Sequence, residues 1–156
     1  MIKILFVCHG NICRSPMAEF MFKDEIRKLG KEKLFEVESA ATSSEEIWNG
    51  VGNPVYPPAK KMLASHGISC EGKRARKLTK DDYSRFDCII GMDEMNRRNM
   101  LRILDGDPEG KVSLLMDYTD HPGSVADPWY TGDFQKTYDD ISEGITGLLA
   151  KLGCML

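Results

Sequence analysis

The opening of the chain constrains its fold more than any other stretch. Ile2 to Val7 is an apolar, strand-like run. It stops at Cys8-His9-Gly10-Asn11-Ile12-Cys13-Arg14. Ser15-Pro16 then reads as a helix start, a capping hydroxyl followed by proline at the first helical position. A tight loop between a strand and a helix N-terminus turns several backbone N–H groups toward one point. With the helix dipole behind them, those groups form a cradle for an anion.

Each side chain of the run has work to do in such a cradle. The converging amides and Arg14 favour the thiolate of Cys8, and a thiolate there can attack a bound phosphorus atom and form a phospho-cysteine. The planar guanidinium of Arg14 suits two phosphate oxygens and can follow them into the transition state. Gly10 is expected to turn the backbone with positive φ. Asn11 tolerates the left-handed region, and its amide can tie the loop to its surroundings. Ser15 has two compatible roles, as helix cap and as a hydroxyl that stabilises a departing thiolate. His9, Ile12 and Cys13 complete the loop around the anion. The competing reading is a buried structural cysteine beside an ordinary helix cap.

The rest of the sequence alternates between strand and helix signals. Strands are predicted at 2–7, 34–39, 88–92 and 112–115, and helices at 16–29, 58–66, 79–86, 94–104 and 134–152. Residues 42–57, rich in Gly, Asn and Pro, and residues 117–132 read as loops. This alternation implies an α/β fold with a four-stranded parallel sheet and helices on both faces, three layers in a flavodoxin-like arrangement. Ligands then bind at the carboxyl ends of the strands, where Cys8 sits. At 156 residues the chain is expected to form a single domain, 1–156.

A second chemical element is Asp127-Pro128. Cleaving a phosphate ester needs an acid for the departing oxygen and then a base for water, and one carboxyl can serve in turn. Pro128 stiffens the loop and keeps Asp127 extended, and Trp129 can shield it from water. The plain alternative is an Asp-Pro turn. Trp48, Trp129 and Tyr130 lie in the two long loops. Such rings either stack on an aromatic substrate or pin the loops to the core.

Several function classes are disfavoured. A net charge of −3 implies no general affinity for nucleic acid. No apolar run approaches membrane-spanning length, and Met1-Ile2-Lys3 leads straight into a strand, so a cytoplasmic protein without a membrane segment is expected. Five cysteines without small-domain spacing argue against a disulfide scaffold. Cys70, Cys88 and Cys154 read as structural or incidental. His9, His66 and His121 are scattered and no Cys-x2-Cys pair occurs, so neither a metal nor another cofactor is expected. Lys73-Arg74-Ala75-Arg76-Lys77 reads as a solvated face rather than a docking patch.

The stretch FVCHGNICRSPMAE resembles the signature of low-molecular-weight protein tyrosine phosphatases. The segments 37–43, 52–59, 75–79, 86–96 and Asp127-Pro128-Trp129-Tyr130 resemble that family in its order along nearly the whole chain. The resemblance implies a metal-independent phosphatase of phosphotyrosine in proteins, expected as a monomer. Cys8 is then the nucleophile, Arg14 the phosphate ligand and Asp127 the general acid, and Trp129 and Tyr130 form walls of the substrate slot. Trp48 is carried as a third wall, shared with Tyr56, although Trp48-Asn49-Gly50-Val51 looks like an insertion. Asn11 and Ser39 match positions that shape the phosphate loop, and Lys73 stands where the family often has His. The resemblance also implies a Cys8–Cys13 disulfide under oxidation, against the plain reading of Cys13 as a packing residue. In bacteria, such enzymes often oppose tyrosine kinases of polysaccharide export. Three rivals remain. Arginine phosphatases have a similar loop with Thr in place of Ile12. Thiol-linked arsenate reductases need further redox cysteines. A phosphate-binding protein without turnover would not need Asp127.

Overall fold

A computed structural model describes residues 1–153; Cys154 lies outside the described residues. Strand β1 (Ile2–Cys8) runs between β2 (Phe35–Ala41) and β5 (Cys88–Gly91), and β6 (Val112–Leu114) lies outside β5. All three pairings are parallel, with Cys8 level with Ala41 and Val7 level with Gly91. Parallel strands need crossovers, and the chain supplies them as α1 (Arg14–Lys28), α2 (Pro57–Ser65), α3 (Asp82–Arg85) and α4 (Glu94–Leu104). Two further helices, α5 (Pro128–Thr131) and α6 (Phe134–Gly153), follow the last strand.

Strand β1 is covered on both faces, which is why it reads as one apolar run. Its side chains still alternate. Ile4, Phe6 and Cys8 join Met17, Phe22, Leu63, Ile141 and Leu148 in the core on one side. Leu5 and Val7 join Leu78, Phe86, Ile89 and Met100 on the other. Cys8 is therefore the last inward residue of a strand held on both sides.

The expected architecture stands, and the departures from it are local. Helix α1 begins at Arg14, two residues before the expected start, with Cys13 at its cap position and no side-chain cap bond. Ser15 does not cap it. Pro16 is the third helical residue, where its missing N–H is still among the donors that lack an intrahelical partner. Gly10 does not have positive φ; the left-handed residue of the loop is Asn11, at φ 59°. Residues 42–57 contain a small hairpin, β3 (Ile47–Trp48) against β4 (Val51–Gly52). Asn49 and Gly50 both turn with positive φ, as a two-residue hairpin loop requires. Residues 117–132 contain α5, and Thr79 lies in a turn before α3, where the Asp82 carboxylate accepts its N–H at 2.9 Å.

The basic segment 73–77 is a solvated face only in part: Arg74 is exposed, whereas Lys73, Arg76 and Lys77 are half-buried. Ala75 is buried, and Gly52 lies so close to it that a side chain at 52 would collide with the Ala75 carbonyl. The Ala75 N–H bonds to Asn53 O, and the Ala41 N–H to Arg76 O. These contacts tie the segment to the carboxyl edge of the sheet.

Candidate active site

The turn after β1 folds around the sulfur of Cys8. The N–H groups of Asn11 and Ser15 point at Sγ from 3.3 and 3.4 Å, and Ser15 Oγ lies 3.0 Å away. Asn11 makes this geometry possible in two ways. Its left-handed backbone reverses the chain, and its buried amide is bonded on every side. Nδ2 donates to Ser15 Oγ at 2.8 Å and to Ser39 Oγ at 2.9 Å, while Oδ1 accepts the Arg76 N–H at 3.1 Å. The bond from Asn11 orients Ser15 Oγ, which can still give its own proton to the sulfur.

The chain of bonds continues away from the sulfur. Ser39 Oγ donates to Glu19 Oε1 at 2.6 Å. Lys73 Nζ lies 3.1 Å from the same oxygen and donates to the Ser39 carbonyl at 3.0 Å. Only 12% of the Lys73 side chain is exposed, and burial pushes its pKa below the ordinary lysine value against the pull of Glu19. Lys73 occupies the place where the resemblance anticipated His, and it holds the outer end of the network that runs from Glu19 through Ser39 and Asn11 toward Cys8. Glu19 was missed at the sequence level, and its position on the inner side of α1 is the signal that would have found it.

Arg14 is buried and held from one edge. Nη1 donates to Asp93 Oδ2 at 2.9 Å and to the Val125 carbonyl at 3.1 Å. Nη2 reaches Asp127 Oδ2 at 3.4 Å. Asp93 was also missed. Its pattern was visible as a capping box at the start of α4, where Oδ1 accepts the Asn96 N–H at 2.7 Å and Asn96 Oδ1 accepts the Asp93 N–H. Its other oxygen is what reaches Arg14.

Asp127 comes from the far end of the chain. It is extended, as Pro128 demands, and Oδ1 caps α5 by accepting the Trp129 N–H at 3.0 Å. The loop before it is pinned three times. Val125 N–H bonds to Met92 O, Ala126 N–H to Asp140 Oδ2, and Thr137 Oγ1 to Ala126 O. Oδ2 is thereby aimed at the guanidinium and the cavity.

That cavity, of about 580 Å³, is lined by the loop residues Cys8, His9, Gly10, Ile12, Cys13 and Arg14, and by Asp127, Trp129 and Tyr130. Trp129 and Tyr130 are 59% and 85% exposed, and Trp129 is backed by the Tyr56 ring at 5.2 Å. Trp48 is not among the lining residues: it stands on the small hairpin, 72% exposed. Tyr56 buttresses Trp129 rather than lining the cavity. Met95, Asn96 and Asn99 of α4 and Glu45 and Glu46 of the loop after β2 complete the lining, none of them anticipated. Cys13 lies in the floor with a free thiol, its pKa pushed up to about 12 by burial, then by Cys8 and Asp127. It stays protonated near neutrality and does not compete as a nucleophile.

A thiol met by loop amides at the carboxyl edge of a parallel sheet, with a buried arginine and a carboxylate beside it, is the arrangement of a cysteine-dependent phosphatase. Known proteins narrow that class. The family model described as low molecular weight phosphotyrosine protein phosphatase matches residues 3–154. The low molecular weight protein-tyrosine-phosphatase YfkJ of Bacillus subtilis is 37% identical over 97% of this chain and 96% of its own length. Its crystal structure superposes with a TM-score of 0.93, over 99% of this chain and 96% of that one. The low molecular weight phosphotyrosine protein phosphatase of Schizosaccharomyces pombe is 42% identical over 84% of this chain and 83% of its own. The structure of a drosophila arginine phosphatase, 29% identical, has a TM-score of 0.84 over 97% of this chain and 98% of that one. The chain belongs to the low molecular weight phosphotyrosine protein phosphatase family, and it is an enzyme of the hydrolase class.

Proposed function

We propose that the protein hydrolyses phosphotyrosine in proteins through a phospho-cysteine on Cys8. The observation that carries this reading is the convergence of two N–H groups and the Ser15 hydroxyl on Cys8 Sγ, in a cavity that also holds Arg14 and Asp127.

In the first step, the Cys8 thiolate attacks phosphorus while the bond to the tyrosyl oxygen breaks. The Asp127 carboxyl gives its proton to that oxygen. Arg14, fixed along its Nη1 edge, offers the rest of its fork to the phosphoryl oxygens together with the loop amides. In the second step, the Asp127 carboxylate takes a proton from water, whose oxygen attacks phosphorus as the S–P bond breaks. Inorganic phosphate leaves, and the thiolate is received by the Ser15 hydroxyl and the amides of Asn11 and Ser15. Trp129 and Tyr130 offer ring faces to the tyrosyl group. Protein partners are then phosphotyrosine proteins, a tyrosine kinase of polysaccharide export among the candidates. A nucleophile that must stay reduced suits the cytoplasm; among the described residues no helix is long and apolar enough to cross a membrane.

The test is hydrolysis of a phosphotyrosine peptide with EDTA present. Cys8→Ser is expected to abolish turnover, and Asp127→Ala to lower kcat by about 10²–10⁴-fold. Absence of phosphotyrosine turnover by the reduced wild type overturns the reading. The likeness to an arginine phosphatase sets the competing substrate. Ile12 lines the cavity with a branched aliphatic side chain that cannot hydrogen-bond a guanidinium or a water. Phosphoarginine is therefore expected to be a poor substrate of the wild type and a better one of Ile12→Thr.

A further inference from the structure

Charge around the cavity is unbalanced, and the catalytic steps use only part of it. Four carboxylates line it, from Glu45, Glu46, Asp93 and Asp127, and Arg14 is the single lysine or arginine among the lining residues. Two of the four are answered by Arg14 itself. Glu45 Oε2 lies 3.0 Å from His9 Nε2, at the exposed rim. Glu46 has no such partner: it makes no ion pair among the described residues. Asn53 instead orients it with a neutral donor, Nδ2 to Glu46 Oε2 at 2.7 Å. The Glu46 side chain also stands against the phosphate loop, its Cγ 3.3 Å from the point where a Cβ on Gly10 would lie.

An oriented, unneutralised carboxylate beside the phosphate cradle works against a substrate that is itself anionic. It repels the phosphoryl group at a distance and repels any acidic residue next to the phosphotyrosine. A cationic neighbour on the substrate removes both penalties and gains an ion pair. The opposite wall acts in the same direction, since the exposed faces of Trp129 and Tyr130 attract a guanidinium or ammonium group.

We propose that Glu46, with Glu45 beside it, selects phosphotyrosine segments that carry a lysine or arginine adjacent to the phosphotyrosine and rejects acidic ones. This selection rests on the phosphotyrosine reading given above. It is a matter of the loop after β2, not of the catalytic groups.

The test compares kcat/KM for matched phosphotyrosine peptides whose flanking residues are Lys, Ala or Glu, with a small aryl phosphate alongside. The wild type is expected to favour the Lys peptide over the Glu peptide by roughly five- to tenfold, the scale of partly exposed charge pairs combined. The ratio shrinks toward one in Glu45→Gln/Glu46→Gln, and also in about 1 M salt, where such charges are screened. Reading the ratio cancels any change common to all substrates. Equal turnover of the Lys and Glu peptides by the wild type overturns the proposal, as does a preference that survives the double substitution. Failure on every peptide and on the small aryl phosphate strikes the phosphatase reading instead.

Discussion

The floor and the rim of the cavity are built on opposite principles. In the floor, Asn11, Ser15, Ser39, Glu19 and Arg14 are all buried, and each is bonded to a neighbour that is itself fixed. At the rim, Trp129 and Tyr130 stand largely in solvent, Glu45 shares its charge with the exposed His9, and Trp48 is carried out on a hairpin. Groups that must meet a transition state need fixed positions, because a small misplacement there costs orders of magnitude in rate. Groups that receive diverse protein segments lose little by being exposed. Substitutions in the floor should therefore strike kcat and stability together, whereas those at the rim should change substrate preference and leave the fold intact.

The largest effect is expected at Arg14. A lysine there cannot meet Asp93, the Val125 carbonyl and two phosphate oxygens at once. Arg14→Lys is expected to lower kcat/KM by about 10²–10³-fold, the scale of losing one transition-state donor, with steady-state kinetics as the check. A loss below tenfold would place the phosphate grip on the amides instead. Asn11→Ala comes next. It puts an alanine at φ 59° and strands Ser39, Ser15 and the Arg76 N–H. Strain and lost bonds together amount to about 2–4 kcal/mol, which denaturant unfolding would show alongside a lower kcat.

Lys73 shows where the sequence was legible and where it was not. The parallel sheet followed from the alternation of strand and helix signals. The strand–loop–helix opening and the Asp-Pro loop could be read locally, since each rests on residues adjacent in the chain. Glu19, Asp93 and Lys73 could not, because their roles come from tertiary contacts across 20 to 79 positions. A run of four cations in five residues suggests solvation, yet Gly52 and Ala75 pack so closely that the run is drawn onto the sheet edge and Lys73 is turned inward. Trp48 failed for the converse reason: an Asn-Gly turn carries it outward on its own hairpin. If Lys73 is part of the floor, Lys73→Met leaves Glu19, among the described residues, with the half-exposed Lys23 as its one ion-pair partner. A loss of about 2–3 kcal/mol is expected, somewhat under the range for a fully buried pair, together with a reduced kcat. An unchanged melting temperature and kcat would return Lys73 to the surface class.

The rim is tested by removing a ring. Tyr130→Ala is expected to cost about 0.5–1.5 kcal/mol of substrate binding, seen as a raised KM for phosphotyrosine peptide. The melting temperature should not change, because Tyr130 is 85% exposed. A fall in stability would show that the ring pins its loop, the alternative that the sequence left open.

The smallest effect concerns an exposed pair outside the cavity lining, and it asks whether solvated charges contribute to the fold at all. His121 Nε2 lies 2.6 Å from Glu143 Oε1, and that hydrogen bond raises the pKa of His121 above its ordinary value. The folded protein thus holds this proton more tightly than the unfolded chain does. The stabilisation is fully present below the unfolded value of about 6.5 and is lost as the pH rises through the higher folded value. Glu143→Gln should therefore lower the melting temperature near about pH 5.5 and have little effect well above the histidine range. Thermal melts of both proteins at the two pH values decide it. A gap of the same size at both would mean that the pair acts through packing rather than charge. The contrast drawn for the cavity, where fixed bonds are confined to the buried floor, would then not hold for exposed pairs elsewhere on the molecule.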